Sequence, residues 1–268
     1  MSSPYSNRDA TSPIASSKTT MTEKTSASAV SQKAFPNPLP NSLPSTLPRA
    51  SQISRVASVS QHTMQARSLL RKQLREARRA LTQEQHEEAA KRIAVQLSAL
   101  PFFDNSTTFG GYLVNDGEVN LKYAIETVWQ SSQNKKFALP VLHPVCKGHL
   151  LFLTYDTHSP LVKNKYNIEE PVLSCENVVP VTHCDVILMP LVGFDVNGNR
   201  LGMGGGYYDR TLSFTKRAFD HYSSLTKQAP KLVGIAHDIQ EVDSLPVAPW
   251  DVPLDAIVTP SRILQFTK

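Results

Sequence analysis

The chain has little cysteine. Its 268 residues include only Cys146, Cys175 and Cys184, and no two of them stand in CxxC spacing. An odd, scattered set excludes a disulfide framework and a thiolate zinc site, and fits a reduced compartment. A long apolar run is also missing. The longest, Val186 to Phe194, is broken by Pro190 and is far too short to cross a bilayer. No apolar core of a signal peptide follows Met1. Residues 1–60 lack a hydrophobic period of any kind. Ser, Thr, Pro, Ala and Asn dominate them, and Pro36, Pro38, Pro40, Pro44 and Pro48 punctuate their second half. Such a segment has little apolar surface to offset the entropy of ordering it. The pattern predicts a disordered extension over 1–60 and a single folded domain over 61–268.

The net charge of +5 is unevenly spread. Within 1–60, Arg8, Lys18, Lys24, Lys33, Arg49 and Arg55 face only Asp9 and Glu23. The folded part is therefore close to neutral, which argues against nucleic acid as a partner. The extension is Ser-rich and acid-poor, as transit peptides are, but its bases are sparse and its prolines preclude a long amphipathic helix. A cytoplasmic location is expected, with organelle import as the alternative.

Periodicity appears from about Thr63. Met64, Leu69, Leu70 and Leu74 recur at helical spacing through an arginine-rich stretch ending near Ala80. Thr82 and Gln85 form a capping-box pattern that opens a second helix, with Ala89, Ile93 and Leu97 on one face and Pro101 as its stop. Strands are predicted over 107–113, 136–141, 150–155, 185–191, 231–236 and 254–259, the third of them as an excursion from the main sheet and the last two as the final strands. Helices are predicted over 120–131 and 206–225. This alternation implies an α/β fold, a layered and largely parallel sheet flanked by helices. Ligands then sit at the carboxyl ends of the strands.

The segment Phe194–Arg210, FDVNGNRLGMGGGYYDR, lies at such an end. Gly202, Gly204, Gly205 and Gly206 expose backbone N–H groups, a following helix adds its dipole, and Arg200 adds a fixed charge. It has neither the Gly-Lys-Ser/Thr ending of a Walker A loop nor a good GxGxxG fingerprint. Spacing alone leaves a phosphate cradle and a tight turn equally open. Asp209 is a surface acid, a partner for Arg210 or a Mg²⁺ ligand. Arg67, Arg71, Lys72, Arg75, Arg78 and Arg79 read as a solvated helix face or a nucleic-acid patch, the former favoured, except that Arg67 and Arg71, one turn apart, can reach one ligand together. His143, His158, His183 and His237 show no metal spacing, and Cys184 reads as packing.

The segment resembles the signature of the 5-formyltetrahydrofolate cyclo-ligase family, and other motifs agree with it in order. Arg67–Arg71 (RSLLR) resembles the family's basic motif, Gly111–Asn120 (GYLVNDGEVN) its first strand and acid-bearing loop, Ile168–Pro171 (IEEP) its acidic-proline turn, and Leu245–Pro260 (LPVAPWDVPLDAIVTP) its C-terminal segment. The resemblance covers roughly residues 65–262 and implies a fold related to sugar-phosphate isomerases and acyl-CoA transferases. It implies ATP and Mg²⁺ as cofactors, 5-formyltetrahydrofolate as substrate, and a monomer with no nucleic-acid or membrane partner. Arg67, Arg71, Arg200 and the loop Gly202, Met203, Gly204, Gly205, Gly206, with Tyr208, would bind ATP. Asp209 and Asp251 would bind Mg²⁺, and Leu113, Glu118 and Tyr207 the folate. Arg200, Tyr207 and Tyr208 would be the catalytic group. The formyl oxygen would be phosphorylated by ATP and then displaced by N10. The chain departs from many members in carrying Gly205 where a lysine stands, and Arg67 where lysine is common.

Two other classes frame that expectation. A sugar-phosphate isomerase or acyl-CoA transferase would need Glu118 as base or nucleophile and would leave the basic residues unexplained. A non-enzymatic RNA-binding module would use the extension and first helix, which the charge distribution disfavours.

Overall fold

A computed structural model describes residues 50–131, 134–216 and 229–266, with side chains from residue 61. Residues 1–49 lie outside it, and so does the reading of them as disordered. Helix α1 spans Ala50–Arg79 and so begins inside the stretch that composition groups with the extension. Its buried face is only in part the one its apolar residues mark. Met64 and Leu69 are 58% and 60% exposed, whereas Arg67, Leu74 and Arg78 are buried. Helix α2 (Gln83–Ser98) starts as its sequence predicts: Gln85 N donates to Thr82 Oγ1, and Thr82 N donates to Gln85 Oε1. Ala89, Ile93 and Leu97 are buried on its inner face.

The chain continues through β1 (Thr108–Gly110), α3 (Lys122–Ser131), β2 (Lys136–Leu142), β3 (Leu150–Tyr155), β4 (Leu161–Lys163), β5 (Glu169–Pro171) and β6 (Val178–Val179). It then forms β7 (Val186–Pro190), β8 (Gly193–Phe194), β9 (Arg200–Leu201), α4 (Tyr207–Thr211), β10 (Lys231–Ile235), β11 (Ala256–Val258) and β12 (Ile263–Gln265). The main sheet runs β12-β11-β10-β7-β1-β2-β3-β6, while β4–β5 and β8–β9 form separate hairpins. The five consecutive strands from β11 to β2 are mutually parallel. The largely parallel α/β sheet is therefore as expected. Strand β7 carries it: Val186 and Leu188 enter the core under α2 and α3, and Ile187 and Met189 enter the core on the opposite face. A strand covered on both faces needs the unbroken apolar run it has.

Three expectations are corrected. Strand β3 is no excursion; it pairs antiparallel with β2 along its whole length. Strand β12 follows β11 antiparallel, so the final strand lies beyond those predicted. The helix expected over 206–225 is α4 alone, five residues long, followed by a 3₁₀ turn over Ser213–Lys216, with 217–228 outside the described residues. Its hydroxyls explain the early stop. Ser213 and Thr215 donate back to the carbonyls of Arg210 and Leu212, and Thr211 Oγ1 is held by the N–H of Leu150 on β3.

Chain order sets where a ligand can bind. From β1 the chain moves through α3 to β2 on one side; from β7, on the other side of β1, it moves away to β10 and β11. The order reverses between β1 and β7, and a crevice opens beyond the carboxyl ends of such a pair.

Candidate active site

A cleft of about 680 Å³ lies over that switch point. Its walls are α1, the loop after β1, the β4–β5 hairpin, the loop from β9 to α4, and the segment before β11. Buried Asp195 ties two of these walls together. Its Oδ1 accepts from the N–H groups of Asn197 and Asn199, shaping the β8–β9 turn, and its Oδ2 accepts from Leu245 N at 3.0 Å.

On the basic wall, Arg67 forms a two-pronged pair with Asp251, Nη1 to Oδ2 at 2.6 Å and Nη2 to Oδ1 at 3.0 Å. Nη1 also donates to the Pro246 carbonyl. Arg200 Nη2 donates to Asp209 Oδ1 at 2.6 Å, and the same oxygen accepts from Val252 N. Arg200 Nε is buried with no hydrogen-bond partner. Arg71 does not line the cleft. Its Nε donates to the Gly202 carbonyl at 2.8 Å, so it braces the glycine loop from below. Burial first, and then the like charge of Arg67, lower its pKa.

The loop itself needs glycine at two points. Gly204 has φ +96° and Gly206 has φ +65°, backbone regions that side chains disfavour. At Gly205 a Cβ would stand 2.9 Å from the Tyr207 ring, and the nearest cation is Arg210, which donates to the Gly205 carbonyl. With five residues, α4 aligns few peptide dipoles, so any anion here is held by the arginines and loop N–H groups.

On the opposite wall, Leu113 and Glu118 face the cleft from the loop after β1. Burial raises the Glu118 carboxyl to about 7, against the nearby charges of Arg78 and Arg75 and the N–H of Asn115. Tyr208 joins the two walls. Its hydroxyl is buried without a partner, and burial followed by the Glu118 charge raises its pKa. Tyr207 Oη lies 2.7 Å from Tyr166 Oη on the β4–β5 hairpin.

The cleft thus gathers every residue that the resemblance assigned to ATP, Mg²⁺ or folate except Arg71, which acts one layer behind. The cleft and the layer beneath it also contain residues the sequence reading passed over. Arg78 is corrected from solvated to fully buried, and Arg75 pairs with Asp116 rather than solvent. The signal was present: Arg67, Arg71, Arg75 and Arg78 share one helical stripe. Asp116, Tyr166 and Trp250 carried no comparable cue. A groove of about 500 Å³ between α2 and the turn after β10 holds none of the singled-out residues but His237, whose ring packs against His86 and whose Nε2 lies 3.2 Å from the Gly117 carbonyl.

A largely parallel open sheet, with a basic helix and glycine loop facing a carboxylate loop across its switch point, has the architecture of an α/β enzyme with its cleft at the carboxyl ends of the strands. The chain belongs to the 5-formyltetrahydrofolate cyclo-ligase family, which matches residues 63–260. It is 44% identical over 193 residues to the Escherichia coli 5-formyltetrahydrofolate cyclo-ligase, covering 72% of this chain and 100% of that one. A mitochondrial 5-formyltetrahydrofolate cyclo-ligase of Arabidopsis thaliana is 31% identical, with 75% of each chain covered. The structure resembles the Aquifex aeolicus 5,10-methenyltetrahydrofolate synthetase with a TM-score of 0.60 and 29% identity, over 74% of this chain and 92% of that one. The protein is an enzyme of this folate ligase type. Among the described residues, no helix is long and apolar enough to cross a membrane.

Proposed function

We propose that the chain converts 5-formyltetrahydrofolate to 5,10-methenyltetrahydrofolate while turning ATP into ADP and phosphate, as a cytoplasmic monomer. One observation carries this reading: a phosphate-type wall and a carboxylate-bearing wall meet in a single cleft, joined by Tyr208. Arg67, Arg200 and the N–H groups of Gly202–Gly206 hold the triphosphate, and Arg71 keeps the loop in place. The buried, unpartnered Nε of Arg200 is a donor suited to a phosphate oxygen. Leu113, Glu118 and Tyr207 hold the folate, with the Glu118 carboxylate accepting from the adjacent ring N–H and amino groups of the pteridine.

The donor set also fits Mg²⁺, which takes one or two carboxylates and completes its shell with phosphate and water. Among the described residues, Asp209 Oδ2 accepts no hydrogen bond, and Asp251 Oδ1 accepts one, from Arg67. Those two residues would hold the ion, which supplies charge neutralisation on the triphosphate.

An amide oxygen is a poor leaving group, and phosphorylation makes it a good one. The formyl oxygen attacks the γ-phosphorus, the bond to ADP breaks, and ADP keeps the electron pair. N10 then attacks the formyl carbon and loses its proton, and phosphate leaves with the oxygen as the ring closes. No side-chain nucleophile is needed. The residues align oxygen with phosphorus and neutralise charge, which is most of what phosphoryl transfer asks of a protein.

The test is optical. Purified protein with 5-formyltetrahydrofolate and Mg²⁺ should develop the near-ultraviolet band of methenyltetrahydrofolate only when ATP is added. Arg200→Ala and Asp209→Ala should each lower the rate by about 100-fold or more, the scale of removing one preorganised charge. A folded protein that binds ATP and forms no band would end the cyclo-ligase reading.

A further inference from the structure

Asp116 sits in a tight turn after β1. It has φ +53° and Gly117 has φ +75°, and Glu118 N donates to the Asn115 carbonyl at 3.0 Å, closing the turn. Aspartate and asparagine tolerate this left-handed backbone better than most residues. Its side chain is 7% exposed and accepts from three arginines of α1. Arg75 Nε reaches Oδ2 at 2.7 Å, Arg78 Nη2 reaches Oδ2 at 2.7 Å, and Arg79 reaches Oδ1.

Arg78 is the one that matters for the cleft. It is fully buried. Nε donates to the Asp116 carbonyl at 2.8 Å, Nη1 donates to the Leu191 carbonyl just past β7 at 3.0 Å, and Nη2 lies 3.9 Å from Met203 Sδ in the glycine loop. One guanidinium thus touches the folate-side loop, the end of the central strand and the phosphate loop.

A buried guanidinium requires a counter-charge. Two carboxylates are in reach. Asp116 takes the role with a direct bond, and Glu118 Oε1 stays 3.7 Å away, beyond hydrogen-bond range. The oxygen of Glu118 is thereby left for a ligand. With Asp116 neutral, the nearest anion to Arg78 would be Glu118, which would be drawn into a direct pair and away from the cleft. We infer that Asp116 is a positioning residue for the folate, acting through Arg78 to keep the Glu118 carboxylate available to the pteridine. This rests on the cyclo-ligase reading of the same cleft.

Asp116→Asn removes the charge and keeps the turn preference. Its KM for 5-formyltetrahydrofolate should rise about tenfold or more, with the KM for ATP changed less than about twofold. Arg79→Ala, which removes an exposed partner of the same aspartate, should leave both unchanged. In a Glu118→Gln background the Asp116→Asn change should add little, because both act through one carboxylate. A parallel rise in both KM values with a lower melting temperature, or full additivity in the double variant, would overturn the inference in favour of a simple structural clamp. If Asp116→Asn does not fold, Asp116→Gly takes its place. It removes the carboxylate and suits the left-handed backbone at φ +53°, and the same folate-selective change is required of it. Calorimetric binding of 5-formyltetrahydrofolate without ATP separates the two levels. Wild type that binds folate without turnover sinks the proposed reaction, while the binding loss in Asp116→Asn still decides the role of this residue.

Discussion

Burial moves the Glu118 carboxyl from 4.5 up to about 7, and the shift acts on stability and on binding in opposite senses. Folded, the group keeps its proton to higher pH than it does unfolded. Folding therefore takes up a proton between pH 4.5 and 7, and stability falls as pH rises through that window. Above it, the buried charge costs on the order of 3 kcal/mol, at about 1.36 kcal/mol per unit. Glu118→Gln should melt higher than wild type at pH 8 and close to it at pH 5, while losing folate turnover at both. A lower melting temperature at pH 8 would mean that Arg78 stabilises the charge more than burial penalises it. At this scale, the gathering of motif-bearing residues such as Arg200, Glu118 and Asp209 in one cleft was legible in the sequence. Asp116 was not, and Arg78 only through the stripe it shares with Arg67, Arg71 and Arg75, because an arginine on a charged helix and an aspartate in an Asn-Asp-Gly turn both look solvated until a second element covers them.

Elements with local signals were legible and those defined by partners were not. The cap of α2 is written in Thr82 and Gln85, and the two-faced burial of β7 in an unbroken apolar run. Strands β8, β9 and β12 are two or three residues long, and only pairing with the strand next to them in the chain makes them strands. The same contrast separates two substitutions. Thr82→Ala removes a cap and should lower stability by about 1 kcal/mol with unchanged kinetics. Gly204→Ala forces a side chain to φ +96°, its Cβ 3.5 Å from the Arg71 guanidinium. It should raise the KM for ATP several-fold and lower stability by about 1 kcal/mol or more. Steady-state kinetics beside thermal melts check both, and a kinetic defect in Thr82→Ala would contradict the assignment of α2 to scaffold alone.

For the molecule as a whole, the family match begins at residue 63, and every residue assigned to the cleft lies within it. A chain shortened to begin at Ala50 should keep the ATP-dependent absorbance change and the melting temperature of the full chain. Loss of either would give the first residues a part in the fold or the site. The resting cleft already contains two internal salts, Arg67 with Asp251 and Arg200 with Asp209. On the proposed reading, an incoming nucleotide and its cation do not fill a bare basic groove. They exchange partners with these salts, phosphate taking the arginines and metal the aspartates, in a double decomposition inside the protein. Few mobile ions are released in such an exchange, so nucleotide affinity should respond weakly to added salt, and the empty enzyme avoids the self-repulsion of an open cluster of cations.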